Sequence, residues 1–445
     1  MTRIVVAGAG VAAVECVVAL HDLTGSRATI ELLAPAAELV HRPSSVTTPF
    51  GGAPAARIDL RHLATELGIE LRRDALASVD PGARLVLTRD EDRVAYDLLV
   101  VATGARSRPA VPGAVTFRGP MSAGLVEQAV ARVAERPDLR LAFVAPPGVR
   151  WLLPLYELAM LSATELRDRG IPEPDIVVAT AEHEPLEVFG AAASEAVRRM
   201  LDRGGVQLVT SAAAASAFEG AVRLASGELL PADVVVALPE IVGPGIGGLP
   251  RDDHGFIPVD EHGYVQGCGD VFAAGDVTAY PLKHGGLAAQ QADAVAESIA
   301  ARLGAIGMPE PFRPVLRGLL LTGETPLYLR ADLGVGGRRE HRLLPRPGTV
   351  ASTALWWPPG KIAGRYVTPF VASGVAAGTL DDREPSPDLE GFDLLIQAAE
   401  QDAAAGDHGA AVRTLDDAEA WLGPLPSAVA MRRDDWRRLV GTTTR

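Results

Sequence analysis

The sequence predicts an α/β protein of two βαβ-type units, the second inserted in the first, followed by a carboxyl-terminal α+β region and a helical tail. Three observations carry this. Thr2 to Leu20 reads as a short apolar strand, a glycine turn and an apolar helix, and Thr29 to Leu33 reads as the next strand. A second run of the same kind begins at Leu139. A late strand at Val271 to Ala274 and a helix from Gly286 to Arg302 then complete the first unit.

Taken in order, His41 to Arg57 is too rich in Arg, Pro, Ser, Thr and Gly for a regular element and reads as a site loop. Ile69 to Leu87 alternates as short strands around Asp80-Pro81-Gly82, and Tyr96 to Ala102 is a continuous apolar strand of the buried parallel kind. In the second unit, strand Leu141 to Val144 leads to a helix around Tyr156 to Arg169, then to strands at Ile176 to Ala179 and Val206 to Val209. Val222 to Pro239 reads as a strand pair and a buried strand, and Gly243 to Pro250 as the return linker. The expected division is 1–115 with 245–310, then 116–244, 311–385 and a tail at 386–445. Helices are expected in that tail at Phe392 to Ala405 and Gly409 to Trp421.

Composition narrows the function. A chain of 445 residues exceeds a single core, and 48% hydrophobic with 22% charged residues is a globular balance. A formal charge of −14 repels phosphate backbones, which disfavours nucleic acid as a partner. Two cysteines, Cys16 and Cys268, make no disulfide framework and fit a reducing, cytoplasmic setting. No apolar run is long enough to span a bilayer, and the histidines lack metal-ligand spacing, so no metal is expected.

The turn Gly8-Ala9-Gly10-Val11-Ala12-Ala13, between a strand and a helix, has the GxGxxA spacing of a dinucleotide fingerprint. Its glycines let the backbone approach a pyrophosphate, which the helix amino terminus attracts. Two later segments, Tyr96-Asp97-Leu98-Leu99-Val100-Val101-Ala102-Thr103-Gly104 and Val271-Phe272-Ala273-Ala274-Gly275-Asp276, follow in the chain. Together the three motifs resemble those of flavoproteins with two Rossmann-like, dinucleotide-binding domains, the pyridine nucleotide-disulfide oxidoreductase-like superfamily. The likeness covers residues 1 to about 310. His41-Arg42-Pro43 and the run from Thr180 to Gly190 narrow it towards sulfide:quinone oxidoreductases and flavocytochrome c sulfide dehydrogenases, with type II NADH dehydrogenases nearby.

That resemblance implies non-covalent FAD. Gly8 to Ala13 would hold it, with Ala102, Thr103 and Gly104 beside it, Arg42 and Pro43 near it, and Asp276, after Gly275, on the ribityl chain. Ala34, Leu76 and Gly286 are further implied neighbours. Lys283, before the late helix, is implied at the flavin pyrimidine edge, and Lys361 at the cover over the ring; these two carry the catalytic expectation. His284 adjoins Lys283.

Two departures shape the chemistry. The acid expected about 20 residues beyond the turn is replaced by Ala34, leaving Glu31 in the strand and Glu38 in the loop as substitutes only with altered geometry. In the inserted unit the second turn reads Ala145-Pro146-Pro147-Gly148-Val149-Arg150-Trp151, with bulky residues where a nicotinamide pyrophosphate needs glycine. Trp151 also occupies the position of a redox cysteine in the sulfide-oxidising branch, and no cysteine follows Cys268. Both cysteines read as small core residues.

The resulting expectation is an FAD-dependent oxidoreductase without the cysteine pair. Its partner would be a small-molecule or protein redox partner, quinone included, with self-association left open. Two other readings use the same residues: an NAD(P)H-dependent quinone or electron-carrier reductase, and a flavin-binding sensor or assembly protein that does not turn over. Trp356 and Trp357 read as interface packing, and the charged run Arg432 to Arg438 argues against stable membrane attachment.

Overall fold

The computed structural model describes residues 1–335, 343–345, 348–356, 360–362, 364–368, 396, 399–400, 402–404, 406–422 and 427–442. Two parallel five-stranded sheets dominate it. In the first, Val271–Ala273, Leu98–Val101, Thr2–Ala7, Ala28–Leu33 and Glu70–Arg72 lie side by side. The second orders Val115–Thr116, Val234–Ala237, Leu141–Val144, Ile176–Ala179 and Val206–Val209.

The inner strands Leu98–Val101, Leu141–Val144, Ile176–Ala179 and Val234–Ala237 read as unbroken apolar runs because each is buried on both faces. Ile4 and Val6 pack with helices Val11–Thr24 and Gly285–Arg302, whereas Val5 and Ala7 face a meander of Leu76–Asp80, Leu85–Thr88 and Arg93–Ala95. The second sheet repeats the scheme. Leu141 and Phe143 meet helices Ala123–Glu135, Leu153–Asp168 and Ala191–Arg203, while Ala142 and Val144 meet a meander of Ala214–Phe218, Ala221–Leu224 and Leu229–Pro231. Between the sheets runs an antiparallel ribbon, Arg106–Arg108 with Glu240–Val242.

The loop expected at His41 to Arg57 is more ordered than that. Arg42–Phe50 is a 3-10 helix, followed by a short strand, Arg57–Asp59. The hydroxyls of Ser44, Ser45 and Thr47 each donate to the carbonyl three residues earlier, at 2.8, 2.6 and 3.1 Å. Such back-bonding suits the tighter helix, and composition alone hides it.

Beyond the late helix, Val315–Leu320, Leu327–Val335, Leu343–Pro345 and Thr349–Ala351 form an antiparallel sheet. Buried acids tie the following segment back to the sheets. Glu15, on the first helix, accepts from the backbone N–H of Tyr366 at 2.7 Å and of Val367 at 3.0 Å. In the tail, helix His408–Leu422 covers the expected Gly409 to Trp421, and a further helix, Ser427–Thr442, carries the Arg432 to Arg438 run. Much of Phe392 to Ala405, and Trp357, lie outside the described residues. Trp356 donates its indole N–H to the Gly360 carbonyl at 2.9 Å and meets the Tyr328 ring at 5.2 Å. Among the described residues no helix is long and apolar enough to cross a membrane.

Candidate functional site

The first turn is built by close approach. Gly8 has φ +150°, and a Cβ there would lie 2.2 Å from the Ala102 carbonyl oxygen, so glycine alone lets the two strand ends touch. Gly10 begins the helix Val11–Thr24 without a side-chain cap, and nothing lies within 4 Å of a Cβ built on it. No side chain caps the first N–H groups of the helix, an arrangement that suits a phosphate beside Gly10. Val11 is half-buried, and Ala12 and Ala13 are buried. At Gly275, φ +81°, an added Cβ would come 2.8 Å from the Ala12 Cβ, so the absence of a side chain lets the two motifs pack together. Thr103, after strand Leu98–Val101, holds a buried hydroxyl without a hydrogen-bond partner, and Gly104, φ +71°, opens onto free space.

A cavity of about 640 Å³ opens between the two sheets. Arg42, Pro43, Asp276, Lys283 and Lys361 all line it, so five of the expected residues meet there. Enclosure by protein raises the Asp276 carboxyl above the usual range, against the opposing pull of Lys283 and Arg42. The Lys283 ammonium donates to the Thr278 carbonyl and lies 3.6 Å from the centre of the Phe256 ring. Burial draws that ammonium down to about 8, while Asp276 and Asp252 hold it up.

The turn Gly8 to Ala13, Ala102, Thr103, Gly104 and Gly275 do not line the cavity, and other expected residues also lie outside it. Ala34 is buried, its N–H on the Arg72 carbonyl at 3.0 Å. Leu76 packs among the residues between the first sheet and its meander. Gly286 is buried at the start of the late helix, where a Cβ would meet the His284 ring at 2.9 Å. Neither substitute acid is free. Glu31 lies between Arg3 and Arg72, the latter at 2.7 Å; burial works to raise its carboxyl, and the two guanidiniums bring it below the usual range. Glu38 pairs with Arg57 at 2.7 Å.

Sequence reading passed over Glu157 and Arg317 on the wall, although it named His284 and Trp151. Glu157, 1% exposed, takes the Lys361 ammonium on Oε1, which also accepts from the Leu321 N–H at 2.9 Å. Its other oxygen is buried without a partner, and burial raises the carboxyl against the pull of Lys361. His284 caps the late helix by accepting from the Leu287 N–H at 3.3 Å, and burial brings its ring down to about 3. Trp151 stands against it, ring centres 4.4 Å apart, and 6.1 Å from Phe189. Pro154-Leu155-Tyr156-Glu157 offered a signal for Glu157; Arg317, on the same wall, had none. Cys16 and Cys268 are buried in separate cores and line no part of the cavity.

The sequence profile of a family described as "Pyridine nucleotide-disulphide oxidoreductase" matches residues 2–119 and 157–297, more than half of the chain. The intervening stretch holds the bulky turn Pro147 to Trp151. The ferredoxin–NAD(+) reductase component of a biphenyl dioxygenase system from Paraburkholderia xenovorans is 33% identical over 208 residues, 43% of this chain. The aligned part spans 46% of that relative, under half its length. Among solved structures, the sulfide:quinone oxidoreductase of Aquifex aeolicus is similar with a TM-score of 0.70 and 21% identity, over 79% of this chain and 87% of that one. A ferredoxin reductase from Rhodopseudomonas palustris is similar at 0.56 and 21%, over 75% and 83%. At these identities the two structures establish the fold.

Proposed function

The chain belongs to the pyridine nucleotide-disulphide oxidoreductase family, and from that premise we propose that it uses non-covalent FAD to pass electrons between a donor and an acceptor that meet at the cavity. Neither a cysteine pair nor a conventional nicotinamide turn takes part. The partners are small molecules, quinone among them, or a redox protein. The proposed division keeps 1–115 and 245–310 as the FAD-binding domain, 116–244 as the inserted one, 311–385 as the cover and 386–445 as the tail.

One observation carries the FAD assignment: the bare helix start at Gly10, the orphaned Thr103 hydroxyl and the enclosed Asp276 carboxyl belong to three motifs held together by the Gly8 and Gly275 contacts. They fit a ligand with a pyrophosphate at one end and hydroxyls along its length. Gly8 to Ala13 would bind the pyrophosphate, with Thr103 and Gly104 alongside, and Asp276 would accept from the ribityl chain. Bound FAD would supply a ring able to take up two electrons. Lys283 places a cation beside Asp276, where negative charge that builds up would be stabilised. Glu157 positions Lys361 on the cavity wall.

Anaerobic titration of the purified yellow protein with NADH, NADPH, sulfide and reduced quinone tests the reading. Slow or absent bleaching of the flavin band by both nicotinamides supports it. The similarity to a ferredoxin–NAD(+) reductase favours one second reading, an NAD(P)H-dependent reductase. Stoichiometric bleaching by micromolar NADH within the mixing time would establish that second reading instead.

A further inference from the structure

We infer that Arg317 anchors an anionic group, a carboxylate or oxyanion, on the molecule that enters the cavity, so that the site selects acidic ligands with an apolar body. The inference names the substrate class of the redox site just proposed and rests on that reading.

Arg317 lies on Val315–Leu320, where Leu316 and Leu320 are buried and Arg317 and Leu319 reach the cavity. Its Nε is buried without a hydrogen-bond partner, and among the described residues its guanidinium forms no ion pair. Arg330 stands directly across the ladder, a like charge that destabilises the pair. The nearby Asp332 is shared with Arg330, at 3.8 Å.

The other buried cations of the cavity have a closer counter-charge than Arg317, which feels only the Asp332 that Arg330 also engages. Lys361 has Glu157, and Lys283 has Asp276. Arg42, Arg118 and Arg150 are exposed and hydrated. Arginine holds its charge in proteins, so Arg317 cannot escape desolvation by releasing a proton. An anion delivered by a ligand would offset that cost.

The apolar half of the site adjoins it. A Cβ on Gly318, the next residue, would come 2.7 Å from Phe189 Cζ, and Phe189 also packs near Trp151. His284 lies between, against Trp151, and its suppressed basicity leaves it neutral, so it does not compete for the anion. Phe189 itself is fully buried behind this wall, so a ligand with its anionic end on Arg317 would lay its apolar part on Trp151, which lines the cavity.

Isothermal titration of the full chain, loaded with FAD and stripped of it, with benzoate, neutral benzamide and inorganic thiosulfate, tests the inference. Benzoate is expected to bind at least about tenfold more tightly than benzamide, a gap of ~1.4 kcal/mol. Arg317→Met and Arg317→Gln should each abolish that preference while keeping the wild-type melting temperature, so that failure of one variant to fold leaves the other to decide. Thiosulfate binding lost in both variants would support the anchor with an inorganic anion as ligand; benzoate binding without thiosulfate binding would support it with an organic acid. Equal affinity for benzoate and benzamide, no benzoate binding, or a preference unchanged in a folded variant would overturn it. A chain that discriminates benzoate yet takes no FAD would defeat the redox reading alone; one that takes FAD without discriminating would defeat the anchor alone.

Discussion

Lys361 and Glu157, 204 residues apart, meet as an ion pair at the cavity wall, with the lysine side chain 9% and the glutamate 1% exposed. Removing one partner strands the other charge in a dry site. Glu157→Leu or Lys361→Met alone should therefore destabilise the fold by about 3–5 kcal/mol. The double variant should recover much of that loss. Thermal melts of the four proteins check it, and a double variant as unstable as the sum of the singles would contradict a direct pairing.

Gly8 and Gly10 should separate folding from cofactor binding. Gly8→Ala forces a Cβ against the Ala102 carbonyl at an unfavourable φ, so its melting temperature should fall. Gly10→Val projects into open space and should leave the melting temperature near wild type while FAD retention drops. A Gly10→Val protein that keeps its FAD would show that the bare helix start is not the pyrophosphate site.

Only two lysines occur in the chain, so NMR of lysine labelled at Cε resolves both. In flavin-stripped protein Lys283 should titrate near about 8, and Asp276→Asn should lower that value further, because the carboxylate favours the ammonium. Folded Lys283 releases its proton in a range where the unfolded side chain still holds one. Stability should accordingly rise with pH from about 8 towards the ordinary lysine value, the full penalty being present below that window. An ordinary lysine titration in wild type would refute the burial argument.

Asp293, on helix Gly285–Arg302, faces Glu15, on helix Val11–Thr24. Burial first, and then the Glu15 carboxylate, raise its pKa far above the usual aspartate range. Folding thus takes up a proton at neutral pH, and stability falls as pH rises above the ordinary aspartate value. Asn at position 293 mimics the protonated acid, so Asp293→Asn should melt higher than wild type near neutrality and flatten the pH dependence. A lower melting point at neutral pH or above, with a stability loss on the order of 1 kcal/mol, would mean the ionised form is the stabilising one.

What the sequence made legible was local. The strand at Ile4 to Ala7, its glycine turn and the helix after it announce themselves because a buried parallel strand must be apolar throughout and the turn must admit backbone. Thr103 and Asp276, at two more strand ends, are implied only by the resemblance of their motifs to those of the flavoprotein family. What stayed hidden depends on contacts far along the chain. Nothing near Lys361 announces Glu157, nothing near Tyr366 announces Glu15, and Arg317 sits in an ordinary alternating strand. The sequence places His284 only as a neighbour of Lys283, because its role as helix cap and its contact with Trp151 depend on residues distant in the chain.

Cofactor content tests the central claim most directly. Purified protein, reconstituted with FAD and desalted, should show a flavin absorbance band corresponding to one FAD per chain. Heat should release that flavin as intact FAD, and Asp276→Ala should weaken binding by about 1–3 kcal/mol. A wild-type chain that stays colourless after reconstitution would contradict the account.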